Sequence, residues 1–463
     1  MLLLTMLEAL CPLHHTHEEA RVQTQGFLPT IRRLAKRSGQ ALRAVLGRPS
    51  VLDQTGLNIR YLYVEVAWAG VLSAAAAFNA TFAVRLNASN TMIGWLSSIP
   101  CLVAVFVLVP AARFLERRSR RAPWVWGSLF VARLGYGVVA LVPWLVSSHQ
   151  AEVVVWLLIA ISVPSAFFAA GFNPLLADVV PEQDRTRVFA MRNILAGATV
   201  ASLTFVAGRW LEAGQRAGWA PFPLNYQAVY IVGFLGSMMS TVYLLRIKVP
   251  ESRVAARLPG DPAKPFIHEL RTMLTVDRNF AAITWNTLLY DAGAWLVGPL
   301  YIIFFVRELG ATDGWIGLNS TLANLGVIAG YALWRRWIRR LGYSRGLLIS
   351  APLGACYAFL VSLFPSLTLI LIWGVLISII NPGINLSHFN ILLKLCPDER
   401  RPTYLATFST LMNAGAFVMP MVGVALAGLL GVRAVLLIGG SLRLLGAVLF
   451  HVNRIKVQEV DIR

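Results

Sequence analysis

In a chain made mostly of apolar runs, chemistry is sought at the polar side chains that interrupt them. Asp291 stands twelve residues into the apolar run 279–306, about 18 Å along a helix that rises 1.5 Å per residue. Thr287 lies four residues earlier on the same helical face. An ionisable group at that depth costs at least about 2.5 kcal/mol in a lipid-like medium and is a functional candidate until a structural partner explains it. A carboxylate there is suited to carrying a proton near neutral pH, because desolvation penalises its charged form. The competing reading is a structural acid, capped by Thr287 or Asn286 or paired with Arg133 or Arg443, the two arginines inside other apolar runs. Glu65 sits only about 7 to 8 Å into the run 60–84 and either lines a cavity or snorkels to headgroups. In the run 367–393, Asn381, Asn385 and His388 recur at i, i+4 and i+7, so they share one helical face able to hydrogen-bond a solute. His388 is read either as a proton partner or as a hydrogen-bonded structural histidine.

The elements that must position these residues follow from composition. Of 463 residues 57% are hydrophobic and only 14% charged, against about 25% charged in soluble domains, so the chain is read as an integral membrane protein. Apolar stretches of the length a spanning helix needs number twelve: 60–84, 91–112, 123–146, 152–176, 188–210, 226–247, 279–306, 314–334, 346–364, 367–393, 403–430 and 432–452. Little is left for a soluble domain, and no G-x-x-x-x-G-K-[ST] loop is present, which excludes ATP-driven transport by this chain alone. Nor do converging catalytic groups such as G-x-S-x-G with a histidine appear, so no enzyme and no cofactor are expected. The formal charge of +19 would suggest nucleic acid in a soluble protein, but its distribution assigns it to the membrane surface. With alternating spans, 34 of the 41 Lys and Arg fall in the two tails and the even-numbered connections, and only Arg85, Arg209, Arg216, Arg307 and Arg433 fall in the odd-numbered ones. Both termini are therefore expected in the cytoplasm and the chain in a cell inner (plasma) membrane, and no nucleic-acid partner is expected. Met1–Leu10 lacks the basic start and long apolar core of a cleaved signal.

The expected domains are a cytoplasmic tail (1–57), a six-helix bundle (58–247), a cytoplasmic linker rich in proline and basic residues (248–278), a second six-helix bundle (279–452) and a short tail (453–463). The two bundles repeat. Phe82–Asn90 before Ile93-Gly94 matches Phe305–Asp313 before Ile316-Gly317 with one inserted residue, after which the offset is 223. At that offset Arg117-Arg118-Ser119 falls on Arg340-Leu341-Gly342, and at 216 Pro181–Arg185 falls on Pro397–Arg401. At 216 Ser165 also meets Asn381, which adds it to the candidate site.

Two parallel six-helix repeats are an arrangement of secondary transporters, and the second connection makes the resemblance specific. Ala112–Arg121 resembles the G-x-x-x-[DE]-[RK]-x-G-x-[RK]-[RK] signature of the major facilitator superfamily, with Ala112 and Ser119 standing where the signature has glycine and with Glu116, Arg117 and Arg121 kept. Its counterpart Arg339–Arg345 keeps Gly342 and has no acid. The resemblance implies an all-α membrane fold of twelve helices in two bundles, with the first, fourth, seventh and tenth spans lining a central cavity. Asp291, Thr287, Glu65, Ser165, Asn381, Asn385 and His388 would then belong to a substrate or proton-coupling site. The fifth span lacks the G-P-x-x-G-G type of motif of antiporters in the superfamily, and similar residues, Gly415, Pro420 and Gly423, lie in the eleventh.

Glu116, Arg117, Asp178, Asp184, Arg185, Arg400 and Arg401 all fall at the even-numbered connections, where charge pairs would latch the bundles while the cavity opens outward. Ser320 and Asn324 are read as glue between helices. Trp124 and Trp126 on one side and Trp144, Trp210 and Trp219 on the other read as interfacial anchors. Residues 27–46 form an amphipathic basic helix or a disordered basic tail. Cys11, His14, His15, His17 and Glu18 lie close in sequence, but a short tail without fixed geometry is not expected to hold a metal. The expected function is a monomeric secondary transporter that moves a small solute by alternating access with proton coupling, in contact with membrane lipids. The alternatives are a multidrug exporter, or a sensor or scaffold of the same fold.

Overall fold

The computed structural model describes residues 54–249, 275, 277–396 and 401–453. The expected tail helix at 27–46 and most of the linker lie outside them. Two compact units are delimited, 1–60 and 61–463. In the described part of the first, Gln54 Nε2 donates to Asn58 Oδ1 at 3.1 Å within the opening turns of a helix.

The described residues form helices and no strand: α1 (Gln54–Ala76), α2 (Asn79–Arg85), α3 (Asn90–Glu116), α4 (Ala122–Leu145), α5 (Gln150–Val179), α6 (Glu182–Ala217), α7 (Leu224–Leu245), α8 (Arg278–Ile303), α9 (Asp313–Leu363), α10 (Leu367–Leu395), α11 (Arg401–Leu430) and α12 (Val432–Val452). Helix is the form in which an apolar segment satisfies its own backbone in lipid. Eleven segments are long and apolar enough to cross a membrane, with α1 and α2 forming one of them. The 51-residue α9 counts for two crossings: at about 77 Å it is more than twice the hydrocarbon thickness, and Gly342 interrupts it at φ 80°, ψ 165°. A glycine tolerates that left-handed φ without the steric cost of a Cβ.

The repeat reappears in the capping. Ser89 Oγ accepts from Met92 N at 3.2 Å at the head of α3, and Thr312 Oγ1 accepts from Trp315 N at 3.2 Å at the head of α9. These two N-caps sit at matched positions of the two halves, 223 residues apart. Each satisfies one of the free N–H groups of its helix start.

In the first bundle α4 packs against α5 and α7, and α3 against α5; in the second, α8 packs against α11 and α12, and α9 against α10 and α12. The bundles meet along α3 with α11 and α6 with α9. At the α6–α9 seam a Cβ on Gly208 would stand 2.9 Å from the Gly317 Cα and 2.9 Å from the Asp313 carbonyl oxygen. Only glycine permits so close an approach of two backbones. Thr321 Oγ1 donates across the same seam to the Ala201 carbonyl at 2.9 Å. The expected glue residues do otherwise, since Asn324 Nδ2 turns back to the Ser320 carbonyl of its own helix. Trp126 also departs from expectation: Trp124, Trp144, Trp210 and Trp219 are exposed, but Trp126 is buried and packs edge-on to Phe172. Residues two apart on a helix face different sides, so Trp124 and Trp126 do not share one belt.

Candidate functional site

The first bundle holds a buried network of charge. Glu65 on α1 is 3% exposed, Arg133 on α4 4% and Arg192 on α6 8%. Arg192 Nη2 lies 3.0 Å from Glu65 Oε2, and Arg133 Nη2 lies 3.8 Å from Glu65 Oε1. Arg133 also donates from Nη1 to Thr241 Oγ1 at 2.5 Å and from Nη2 to Ser240 Oγ at 2.7 Å, and Ser240 Oγ donates to Glu65 Oε1 at 2.9 Å. Arg192 Nη1 donates to the Leu62 carbonyl at 3.0 Å, and its guanidinium lies over the Phe172 ring at 5.0 Å from the centroid. Glu65 therefore does not reach headgroups; it joins three neighbouring helices. A buried pair is costly to desolvate, and removing one partner is costlier still.

This network borders a cavity of about 290 Å³ lined also by Tyr136, Ser165, Phe168 and Phe172. A second cavity of about 430 Å³ shares Ala76, Tyr136 and Ser165 with it and reaches Asn79. Asn79 stands where the first span is interrupted between α1 and α2, and it links two rings: Asn79 Nδ2 donates to Tyr136 OH at 3.2 Å, and Tyr230 OH donates to Asn79 Oδ1 at 2.9 Å. Ser165 lines both cavities and donates to the Ile161 carbonyl of its own helix at 2.8 Å.

The second bundle is organised differently. Thr287 Oγ1 and His388 Nε2 are 2.7 Å apart, which joins α8 to α10, and the His388 ring packs against Phe408. From that contact, four residues along α8 lead to Asp291 and three residues back along the antiparallel α10 lead to Asn385. Both steps climb about 5 to 6 Å in the same direction, which brings Asp291 and Asn385 to one level. Among the described residues Asp291, Asn381 and Asn385 make no side-chain hydrogen bond or ion pair, so their polar atoms are free for water or a solute. The field of the Arg443 guanidinium reaches Asp291, but Arg443 spends its Nη2 donor on Tyr290 OH at 3.0 Å and stacks on that ring. Tyr290 OH in turn donates to the Ala351 carbonyl at 3.1 Å. The structural caps considered for Asp291 are engaged elsewhere: Thr287 with His388, and Asn286 with the Leu449 carbonyl and Asn453.

At the end formed by the odd-numbered connections hydrogen bonds join the two bundles, and they follow the repeat. Arg85 donates from Nη2 to the Ala311 carbonyl at 2.8 Å and bonds Asp313 Oδ1 at 3.3 Å. Its counterpart Arg307 donates to the Ala88 carbonyl and to Asn90 Oδ1. Ala88 and Asn90 are the counterparts of Ala311 and Asp313, so each bundle clasps the other through the same two positions. A π-helical turn, Phe304–Glu308, carries Arg307 to its place. Asp313 also accepts from Tyr226 OH at 2.7 Å. The repeat had exposed these segments in the sequence, but not that they face one another.

At the opposite end Arg117 and Asp178 are exposed, Asp184 is half-buried, and Arg185 Nε donates to the Val180 carbonyl within its own bundle at 3.2 Å. Arg400 and the side chains of Glu116 and Arg401 lie outside the described residues. Arg192, Ser240, Thr241, Tyr136 and Asn79 were missed as candidates. Arg192 stands so near the start of its apolar run that it counts as a connection charge; only the approach of α1 and α6 shows it to be buried.

No curated protein sequence matches the chain significantly. Among solved structures, a bacterial homologue of the human lysosomal transporter Spinster, inward-facing and unoccupied, is 13% identical with a TM-score of 0.62 over 88% of this chain and 98% of that one. A POT family transporter in complex with a thioalcohol-conjugated peptide is 14% identical with a TM-score of 0.65 over 87% and 97%. The nucleoside transporter NupG is 13% identical with a TM-score of 0.60 over 86% and 99%. At such identities the likeness is one of fold. The sequence model of the Major Facilitator Superfamily, however, matches residues 66–290 and 283–460. Two repeated six-helix bundles, joined at α3 with α11 and at α6 with α9, are thus accounted for by descent: the chain belongs to the Major Facilitator Superfamily.

Proposed function

We propose that this membrane transport protein is a secondary active transporter that moves a small solute by alternating access, with Asp291 as the proton-coupling carboxylate. The observation that carries the reading is Asp291, one turn along α8 from the Thr287–His388 contact and at the level of Asn385, with no side-chain hydrogen bond or ion pair among the described residues. A carboxylate kept for structure would have acquired donors; one that exchanges a proton with water and solute must keep its oxygens open. Asn381 and Asn385 supply hydrogen bonds to the solute, and the Thr287–His388 contact holds the two helices in register. Carriers of this superfamily generally break no covalent bond, and no cofactor enters the scheme.

The reciprocal clasp of Arg85 and Arg307 supports a state closed at the odd-numbered end. With both termini in the cytoplasm of a cell whose plasma membrane holds the protein, as the distribution of Lys and Arg favours, that end is the outside and the state is inward-facing. The even-numbered charges Glu116, Arg117, Asp178, Asp184, Arg185, Arg400 and Arg401 would form the alternate latch in the outward-facing state. Each exposed pair contributes about 0 to 1 kcal/mol, and states that interconvert need differ by only a few.

The test is a thermal-shift screen of the purified protein at pH 6 and pH 8 against sugars, nucleosides, amino acids and lipophilic cations, followed by proteoliposome uptake of each hit with a pH dye inside. A ligand of the folded state stabilises it in proportion to ln(1 + [L]/Kd). We expect uptake accompanied by proton movement, and uptake without proton movement in Asp291→Asn. Proton-linked uptake that persists in Asp291→Asn removes the residue from this role; binding without any flux favours a sensor.

A further inference from the structure

We propose that the cavity on the first bundle binds an organic oxyanion, a carboxylate or phosphate on an apolar body, with Arg192 and Arg133 as its cationic contacts. This deepens the transport reading and rests on it. Within the network two guanidinium groups face one carboxylate, all three less than a tenth exposed. Ser240 and Thr241 accept from Arg133 but are neutral, so one positive charge stays uncompensated. Such a charge is expensive in a low-dielectric interior, and an anion in the adjoining space would relieve it. The second bundle does not cancel it, because the charges of Asp291 and Arg443 in its spans are opposite and sum to zero.

The Arg192 fork is only partly used. Its Nη2 approaches Glu65 Oε2 to 3.0 Å, yet that oxygen accepts no aligned hydrogen bond. Part of its N–H array therefore remains for a ligand, and the planar guanidinium suits a carboxylate or phosphate because two parallel N–H groups meet two oxygens. Beside the charges, Phe168, Phe172 and Leu72 line the same cavity. They would bury an apolar body, and Tyr136 and Ser165 lead into the adjoining space. A cation or a polyol would meet the opposite of what it needs here: excess positive charge on one side and phenyl rings on the other.

The experiment is a thermal-shift titration of the full chain in detergent at constant pH and ionic strength, with benzoate, phenylphosphate, dodecyl phosphate, benzamide and benzyltrimethylammonium. Expected is a dose-dependent stabilisation by the oxyanions and none by the amide or the cation. Phenylphosphate outdoing dodecyl phosphate would mark a water-soluble ligand, and the reverse a lipid-like one; both uphold the oxyanion site. Arg192→Lys, which keeps the charge but loses the fork, should weaken oxyanion binding about tenfold or more, corresponding to about 1.4 kcal/mol. The double variant Glu65→Gln with Arg192→Gln removes the pair without stranding a carboxylate and, with Arg133 as the one guanidinium left and no fork at 192, should weaken the shift at least as much as Arg192→Lys does. Oxyanion binding unchanged in Arg192→Lys and in the double variant overturns the proposal. So does a shift by benzamide or benzyltrimethylammonium as strong as that by the oxyanions, or no shift by any oxyanion. Those results leave the transport reading standing, because it fails only if no solute of any class is carried in the liposome assay.

Discussion

The same place in the two bundles is built in opposite ways. Glu65 and Thr287 are counterparts at an offset of 222 residues, and at 216 Phe172 and Arg192 fall on His388 and Phe408. In the first bundle the cluster is an ion pair with a cation stacked on an aromatic ring. In the second it is a neutral hydrogen bond with an imidazole packed on an aromatic ring. The geometry of three helices meeting was kept while the charge was replaced. The difference separates two tasks: the first bundle fixes Glu65 between two arginines, whereas the second, having no charge at the matched position, carries an acid one turn further along with no side-chain partner among the described residues.

The comparison breaks most visibly at Glu65. Glu65→Ala strands two buried guanidinium groups and should destabilise the fold by about 3 to 5 kcal/mol, read as a lowered unfolding temperature. A loss under about 1 kcal/mol would mean the network is hydrated and not structural. At the clasp, Arg307→Ala and Arg85→Ala should each shift the balance toward opening at that end by about 1 kcal/mol or less, since these side chains are partly exposed. Distances between spin labels placed beside residues 88 and 311 report it. Equal shifts would show that the reciprocal contacts contribute alike although one carries Asp313 and the other Asn90. Thr287→Val should cost about 1 kcal/mol through one lost hydrogen bond, seen as a small fall in unfolding temperature. Asp291→Asn should be nearly neutral for stability, within about 0.5 kcal/mol, because the side chain has no partner to lose, while the pH dependence of uptake flattens. A large destabilisation there would make Asp291 a structural acid like Glu65 and erase the contrast.

Much of the architecture was legible in the sequence because lipid imposes a one-dimensional rule. A segment either has about 20 apolar residues or it does not span, and the repeat, read from Phe82–Asn90 against Phe305–Asp313, locates the two halves. Helix ends were less legible. The eighth and ninth spans, expected as separate elements, are two helices that meet at a kink at Gly342 within Asp313–Leu363, without the loop that the sequence reading places between them. Of the site, Asp291, Glu65 and the polar face of the tenth span stood out because a polar residue in an apolar run is conspicuous. Arg192 did not, because near the end of a run it looks like any connection charge, and Ser240 and Thr241 did not, because hydroxyls are ordinary in spanning helices.

The sequence by itself determined that the chain crosses a membrane in two repeated sets of helices, and which few polar groups are carried into the apolar interior. Those properties depend on local composition and on periods along the chain. Which polar groups have partners was decided only by the tertiary structure. In the sequence Glu65 and Asp291 differ only in their depth along an apolar run. What distinguishes them is that α4 and α6 bring Arg133 and Arg192 to the first, whereas Arg443 turns its Nη2 to Tyr290 beside the second. Pairing is a contact between segments distant in sequence, and only packing sets it.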